Sequence, residues 1–392
     1  MAGPAPRWWA LPALISWMAA AEPATAADRF VPGDPAFVVA DLGRTAPDET
    51  LRALLELWRA SPRDDRTVEA LASAYIERAR SAREPRFFGR AESVVARRAH
   101  ERGASAGVRR LYAETLQFRH EFTSAEAILD ALLREQPHDA DSRLRRGSLR
   151  LTRGHFAGAR ADCAPLAVAR GAVAAAGIAC LAEAMAGSGD LERARILLGT
   201  LAGAALREPA SQPAAQAYLL ATRAELAERA GDWQSAVADY RRAVALAPGD
   251  DAHRAALADA LVAAGRSGAG VVLDVESPGL ALLVRQASLP GAPRALADRA
   301  RQWLELEARR GDAIHHREAA MLELACQRPA QALAAAMRNF GTQRELADVR
   351  VLARAAVLAR DAGARRLLTR WLAETGYADA VTAAILAGGA DG

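Results

Sequence analysis

The stretch Ala217–Pro248, AYLLATRAELAERAGDWQSAVADYRRAVALAP, predicts two antiparallel helices joined by a tight turn. Gly231 has the freedom to close the first helix in the left-handed conformation, and Asp232 has a carboxylate that can cap the second. Pro248 ends the second helix. This second helix carries one apolar stripe at helical spacing, formed by Trp233, Ala236, Val237, Tyr240, Ala243, Val244 and Ala247. A single hairpin cannot bury such a stripe alone, so the stretch predicts stacked neighbours.

Turn residues recur along the chain at an almost constant interval. They are separated by 34, 35, 42 and 34 residues, at His120, Gly154, Gly189, Gly231 and Gly265. Alanine stands five positions after four of them, at Ala125, Ala159, Ala194 and Ala236. The long interval contains an inserted loop over 207–213 with two prolines. The spacing predicts a repeated helix–turn–helix unit of about 34 residues.

This pattern resembles the tetratricopeptide-repeat family. The best-matching unit has the family's small, turn, aromatic and terminating residues at Ala224, Gly231, Ala236, Tyr240, Ala243 and Pro248. Neighbouring units keep Gly147, Gly154, Ala159, Gly189 and Ala194. The resemblance implies an all-α fold, an α-solenoid of about eight stacked antiparallel helix pairs in a right-handed superhelix.

One unit departs from the family's pattern. Arg143, Arg146 and Arg150 stand where packing residues are expected. Buried arginines without partners would be strongly destabilising. Either this helix is partly exposed, or acidic residues pair with its arginines.

The composition agrees with an all-α protein that binds no nucleic acid. Alanine and leucine favour helix, whereas aromatic residues make up only 5% of the chain. The formal net charge is +4, and all 51 basic residues are arginine. These arginines alternate with acids along the chain and do not form the basic strip typical of nucleic-acid binding.

Residues 1–26 predict a secretory signal peptide. Arg7 gives a minimal positive region, an uncharged apolar run follows over Trp8–Ala21, and Ala24-Thr25-Ala26 matches a cleavage site. An uncleaved anchor helix is the alternative, although the run is short for a membrane span. We expect cleavage after Ala26, no stable membrane insertion of the mature chain, and a periplasmic or secreted protein.

Beyond the signal peptide the sequence predicts four regions. Residues 27–47 form an extended N-terminal arm, and 48–266 form a helical array. Residues 267–291 are an irregular joint or a degenerate repeat, and 292–388 are further helical repeats with a final capping helix. Within this last region we expect turns at Gly311, Gly341 and Gly363.

The three cysteines are Cys163, Cys180 and Cys326. An odd number in an oxidising compartment leaves at least one thiol free or paired between molecules. Cys163 and Cys180 fall on consecutive predicted helices, so a disulfide between them is geometrically feasible. The alternative is that both are small buried apolar residues.

The sequence shows no catalytic constellation, and we predict neither an enzyme nor a cofactor. His315 and His316 stand at helical spacing from Glu318 and Glu323, but no third protein ligand for a catalytic zinc is linked to them. A surface histidine pair explains them better, so no metal site is predicted. A Gly-x-Ser-x-Gly nucleophile turn is absent, as are strands to carry one.

Ligand-facing positions of the family predict a groove on the concave side of the array, which the first helix of each pair lines. Carried over by the resemblance, these positions are Arg110, Glu114, Gln117, Phe118, Leu144, Ser148, Leu151, Glu183, Tyr218, Glu225, Glu228, Arg229 and Asp259. The set contains five acids and two arginines on a chain that is net basic. Charge complementarity therefore favours a positively charged or amide-rich peptide. The alternative is that these charges only keep an empty surface soluble.

The sequence predicts an exported scaffold or adaptor that binds a protein or peptide partner and performs no chemistry. Two alternatives stay open. In one, the array is a structural adaptor in an envelope assembly and binds through its convex face or its ends. In the other, it is an accessory factor in metal or cofactor handling, which would use its histidines and cysteines.

Overall fold

The computed structural model describes residues 49–81, 86–169, 172–205, 213–310 and 315–388. The predicted signal peptide and N-terminal arm lie outside these residues. The described residues form twenty helices and no strand. None of these helices combines the length and the apolar character that a membrane span requires.

The helix bounds are α1 Glu49–Ala60, α2 Asp65–Ser81, α3 Arg86–Ala99, α4 Ala106–Phe118, α5 Phe122–Glu135, α6 Ala140–Thr152, α7 Phe156–Ala167, α8 Ala172–Gly187, α9 Leu191–Ala205, α10 Pro213–Arg229, α11 Trp233–Leu246, α12 Asp251–Ala263, α13 Ala269–Leu273, α14 Leu280–Ser288, α15 Arg294–Arg310, α16 His316–Ala325, α17 Pro329–Phe340, α18 Leu346–Leu358, α19 Ala362–Thr375 and α20 Ala380–Gly388.

Helices α2 to α19 pack as consecutive pairs; α1 precedes them and α20 follows them in the sequence. Small residues permit the close approach of paired helices. Ala224, Ala236 and Ala243 are fully buried between α10 and α11. The predicted fold class, an all-α array of stacked antiparallel helix pairs, is confirmed.

The turn residues that set the repeat interval share one backbone conformation. His120, Gly154, Gly189, Gly231 and Gly265 all have φ between 60° and 93°, in the left-handed region. At Gly231 the amide of the next residue, Asp232, donates to the Ala227 carbonyl five residues back. This bond closes a Schellman motif, which ends one helix and redirects the chain into the next.

In the C-terminal region the predicted turn is confirmed at Gly341, although not in the left-handed conformation, and is wrong at Gly363. Gly341 has right-handed φ, and Gly363 lies inside α19. Besides Gly376, the left-handed residues there are Gln327 and Arg360, with φ of 57° and 54°. Both turns have the same five-residue hydrogen bond, which holds a conformation that non-glycine residues rarely adopt. The third predicted turn residue, Gly311, lies outside the described residues.

The ambiguity at the arginines of α6 is resolved by packing. The arginines of α6 pair with acids, because the buried carboxylate of Asp162 accepts from Arg146 at 2.5 Å and from Arg150 at 2.9 Å. Residues 267–291 contain a short helix, α13, and the nine-residue helix α14, which packs against α12, α15 and α16.

Cys163 on α7 and Cys180 on α8 face each other in the core. They are paired as a disulfide, and their Cα atoms are 5.6 Å apart, a separation that a disulfide spans. Both residues are fully buried. The third cysteine, Cys326, is free and half-buried.

The C-terminal helices fold back onto the middle of the array. The amide of Arg344 donates to the Thr152 carbonyl at 2.7 Å, and the Thr152 hydroxyl donates to Glu345 at 3.0 Å. One apolar cluster combines residues of α6 to α8 with residues of α16 to α19. Its aromatic members include Phe156, Phe340, Trp371 and Tyr377. The inner side of the array is therefore partly covered by the chain itself.

Candidate functional site

A cleft of about 550 Å³ lies where the inner helices α4 and α6 face the returning C-terminal segment. Aromatic rings form one wall. Phe88 and Phe118 stack with ring centroids 3.8 Å apart, and His120 stacks on Phe122 at 5.5 Å. The cleft thus has an apolar wall of rigid side chains next to polar groups of the other elements.

Six residues at the predicted ligand-facing positions line this cleft. They are Glu114, Gln117, Phe118, Leu144, Ser148 and Tyr218. They come from α4, α6 and α10, so the repeat brings residues more than a hundred positions apart to one surface. The covering side is formed by His315, Gln343 and Glu345.

The other predicted groove residues lie outside the cleft lining. Arg110 pairs with Asp139 at 2.6 Å, and Asp259 pairs with Arg285 at 2.7 Å. The remaining ones are Leu151, Glu183, Glu225, Glu228 and Arg229. Leu151 belongs to the apolar cluster under the C-terminal helices.

Glu228 and Arg229 are buried and bind the C-terminal segment. Glu228 pairs with Arg350 and accepts from the Tyr240 hydroxyl at 3.0 Å. Burial raises the pKa of Glu228, although the Arg350 charge opposes that shift. Arg229 donates to the Ala378 carbonyl at 3.0 Å. These two residues hold the fold-back and are not free to bind a partner in this arrangement.

Charge in the main body of the cleft is mostly compensated. The Glu114 carboxylate forms ion pairs with Arg80 of α2, at 2.6 Å, and with Arg145 of α6, at 2.5 Å. Glu345 pairs with Arg317. Burial disfavours the charged form of Glu345, but Arg317 outweighs this effect and lowers its pKa.

Two imidazoles meet at the edge of the cleft. The rings of His120 and His315 are 5.6 Å apart in an edge-on contact. Burial, with the nearby His315, lowers the pKa of His120 to about 4. Burial also disfavours a charge on His315, but its 3.0 Å hydrogen bond to Glu307 outweighs this and raises its pKa. His120 is therefore neutral near pH 7.

The end of the cleft at Tyr218 adjoins two half-buried carboxyl groups. Glu183 accepts from the Tyr218 hydroxyl at 3.1 Å and from the Thr222 hydroxyl at 2.8 Å. Burial raises the pKa of Glu183 to about 7 against these hydrogen bonds. Glu225, two helical turns beyond Tyr218, has its pKa raised to about 8 by burial and by the Glu183 charge.

The described residues contain no group of three histidine, cysteine or acidic side chains that could hold a metal ion. His315 is engaged with Glu307, and Glu318 is buried. The cleft lining itself combines aromatic rings with hydrogen-bonding and charged side chains.

Sequence reasoning missed several cleft residues. Phe88 comes from a repeat that the turn spacing did not reach, and His315 and Glu345 reach the cleft only through the fold-back. His120 was identified as a turn residue, and its left-handed conformation places its ring at the cleft edge. In the sequence, only the neighbouring aromatic residues Phe118 and Phe122 could have indicated that this turn lies at the cleft.

Comparisons with known proteins yield no family model and no curated relative that matches this chain. Similar solved structures include the APC/C hetero-tetramer Cut9-Hcn1, with 13% identity, a TM-score of 0.48, and coverage of 87% of this chain and 66% of that one. A tetratricopeptide repeat protein from Parabacteroides merdae has 10% identity and a TM-score of 0.38, with coverage of 78% and 98%. The human IFIT1 dimer with m7Gppp-AAAA has 13% identity and a TM-score of 0.41, with coverage of 88% and 86%.

Proposed function

We propose that this chain is a non-catalytic scaffold that binds a segment of a partner protein in the cleft. The observation that carries the proposal is the convergence of six predicted ligand-facing residues on one cavity. Aromatic rings next to hydrogen-bonding groups are typical of sites that anchor partner side chains. The walls are parts of packed helices, which keeps them in place before a partner binds.

The cleft can be tested by site-specific photo-crosslinking. A photoreactive amino acid replaces Gln117 or Ser148, which line the cleft, or Gln234, which is exposed on α11 and does not. We expect both cleft positions to crosslink the same protein in the native cells and Gln234 not to do so. The substitution Phe118→Ala should reduce that crosslink at least severalfold, because it removes half of the stacked aromatic pair.

Equal crosslinking from Gln234, or no effect of Phe118→Ala, would contradict binding in the cleft. The first result would favour an adaptor that binds through its outer face or its ends. Reversing the charge of Glu228 is not a suitable test, because Glu228 is buried against Arg350 and the change would disturb folding.

We also propose that the protein acts outside the cytoplasm, in the periplasm or as a secreted protein. Support comes from the signal-peptide pattern in residues 1–26 and from the pairing of the buried Cys163 and Cys180 as a disulfide. Disulfides persist in oxidising compartments. Cell fractionation with mass spectrometry of the N-terminus should give a chain that begins at Ala27; an intact Met1 terminus in the cytoplasm would contradict the proposal.

A further inference from the structure

Most acids inside this protein are paired with arginine. Asp162, Asp239 and Asp348 each accept from a guanidinium at 2.5 Å. Glu183 and Glu225 differ, because neither forms an ion pair within the part of the chain that the structure describes. Glu183 accepts only from the hydroxyls of Tyr218 and Thr222.

The nearest cation is engaged elsewhere. Arg229 donates to the carbonyls of Ala186 at 2.9 Å and Ala378 at 3.0 Å. Its guanidinium also lies 3.9 Å from the ring centroid of Tyr377. Arg229 therefore orders the fold-back and leaves Glu183 and Glu225 without an ion-pair partner among the described residues.

The surrounding charged groups are largely paired with one another. Glu183 on α8 and Glu225 on α10 share their environment with Glu228 and Arg229 of α10 and with Glu345 before α18. Further charged or titratable groups of that environment are Tyr218, Arg350, Tyr377 and Asp379. Arg350 pairs with Glu228 and Asp379, and Glu345 pairs with Arg317, so neither of these arginines is available to pair with Glu183 or Glu225.

We infer that Glu183 and Glu225 bind the guanidinium or ammonium group of a basic side chain in the partner segment, while the stacked Phe88 and Phe118 contact an apolar side chain of the same segment. This inference rests on the proposed function and specifies the chemistry that the cleft recognises. A guanidinium can donate to both a carboxylate and the neighbouring Tyr218 oxygen. A metal ion is a poorer fit, since the described residues give no suitable ligand set.

Binding of a cation by Glu183 and Glu225 should be linked to the release of protons from their carboxyl groups. Two carboxyl groups that hold protons near neutral pH must release them when a cation binds, so the affinity for that cation rises with pH. Burial raises the pKa of Glu183 to about 7 and that of Glu225 to about 8. We expect at least about a tenfold gain in affinity between pH 6 and pH 8.

The test begins with a selection of random twelve-residue peptides against the full chain. One recovered peptide is then synthesised with its basic residue as arginine and with the neutral isostere citrulline. Calorimetry measures both peptides against the unmodified chain, Glu183→Gln/Glu225→Gln, Phe118→Ala, and the control Glu56→Gln/Glu374→Gln, whose carboxylates are exposed. Circular dichroism verifies that each variant is folded.

We expect recovered peptides to combine a basic with an apolar residue. The citrulline peptide should bind the unmodified chain about tenfold more weakly, whereas Glu183→Gln/Glu225→Gln should bind both peptides equally and lose most of the pH dependence. The control variant should behave as the unmodified chain. A pH dependence that persists in Glu183→Gln/Glu225→Gln would assign it to His120 and His315 and overturn the inference.

The proposed function and this inference fail differently. Peptides that lose binding to Phe118→Ala, but are insensitive to citrulline and to Glu183→Gln/Glu225→Gln, would leave the cleft as a binding site and overturn the cation site. Peptides that bind equally to Phe118→Ala, or no recovered peptide at all, would overturn both.

Discussion

Gly147 on α6 packs closely against Cys163 and Cys180. A Cβ at this position would lie 2.7 Å from the Cys163 sulfur and 3.1 Å from the Cys180 sulfur. Because both sulfur atoms are buried and held by two helices, they cannot move aside without displacing α7 or α8. The substitution Gly147→Ala should therefore destabilise the protein by about 1–3 kcal/mol through overpacking. Thermal and denaturant unfolding measure this.

Gly199 on α9 is the matched control, because a Cβ there would meet no atom within 4 Å. Alanine favours an exposed helix by about 1 kcal/mol relative to glycine. Gly199→Ala should thus stabilise the protein while Gly147→Ala destabilises it. The same sign for both variants would contradict the packing argument at Gly147.

The carboxyl groups of Glu183 and Glu225 give the stability a specific pH dependence. Burial raises their pKa in the folded chain from 4.5 to about 7 and about 8, so the folded state holds protons that the unfolded state releases. Their protonation favours folding fully below about pH 4.5, and this contribution is lost as the pH rises through 7 and 8.

The double substitution Glu183→Gln/Glu225→Gln should remove this loss of stability at high pH. We expect its melting temperature to exceed that of the unmodified chain by several degrees at pH 9, with the difference shrinking towards pH 5. The exposed pair Glu56→Gln/Glu374→Gln should show no such trend. A difference between the two chains that does not change with pH would contradict buried, proton-holding carboxyl groups.

At the scale of helices, the sequence predicts those turns and helix ends that are determined by neighbouring residues. Turns that contain glycine were predicted at Gly154, Gly189, Gly231 and Gly265, since only glycine adopts the left-handed conformation without strain. The turns at Gln327 and Arg360 were missed because their hydrogen bonds impose the same conformation on residues that carry no sequence signal. Helix α14 was missed because glycines and prolines flank its short apolar run.

At this scale we predict that the disulfide between α7 and α8 forms in the protein and stabilises it. It links two consecutive helix pairs across 17 residues, for which chain entropy gives about 3 kcal/mol of stabilisation. Thiol titration of the unfolded, unreduced protein should give one reactive thiol, from Cys326, and three after reduction. Reduction should lower the free energy of unfolding by about 3 kcal/mol. Three thiols before reduction in protein purified from an oxidising compartment would show that both residues are only buried apolar groups.

At the scale of the molecule, the fold-back could not be predicted from the sequence. Thr152 and Glu345 are 193 residues apart, and Arg350 and Glu228 are 122 apart. Neither pair belongs to any local period, and each looks like an ordinary polar helix residue. Six of the residues at the family's ligand-facing positions, on α4, α6 and α10, line one cleft. The pattern could not show that the C-terminal segment of the same chain covers part of this inner surface.

Arg350 is the main polar link in this fold-back. It forms two bonds to Asp379, at 2.7 and 3.0 Å, and it pairs with the buried Glu228 of α10. Arg350→Met preserves most of the side-chain volume but leaves both carboxylates without their cation. Removing one partner of a buried ion pair typically costs about 3–5 kcal/mol. We expect a loss of this size in denaturant unfolding at pH 7.

Arg354→Met is the control, since Arg354 is exposed on the same helix. It should change the free energy of unfolding by less than about 0.5 kcal/mol. Lowering the pH from 7 to 5 should recover part of the stability of Arg350→Met, because Glu228, whose pKa burial already raises, then takes up a proton in place of its lost partner. Limited proteolysis should also cut Arg350→Met earlier than the control in the segment between α17 and α18, where Arg344 and Glu345 bind Thr152. If Arg350→Met and Arg354→Met unfold alike, the fold-back depends on its apolar cluster alone and Arg350 contributes only to its orientation.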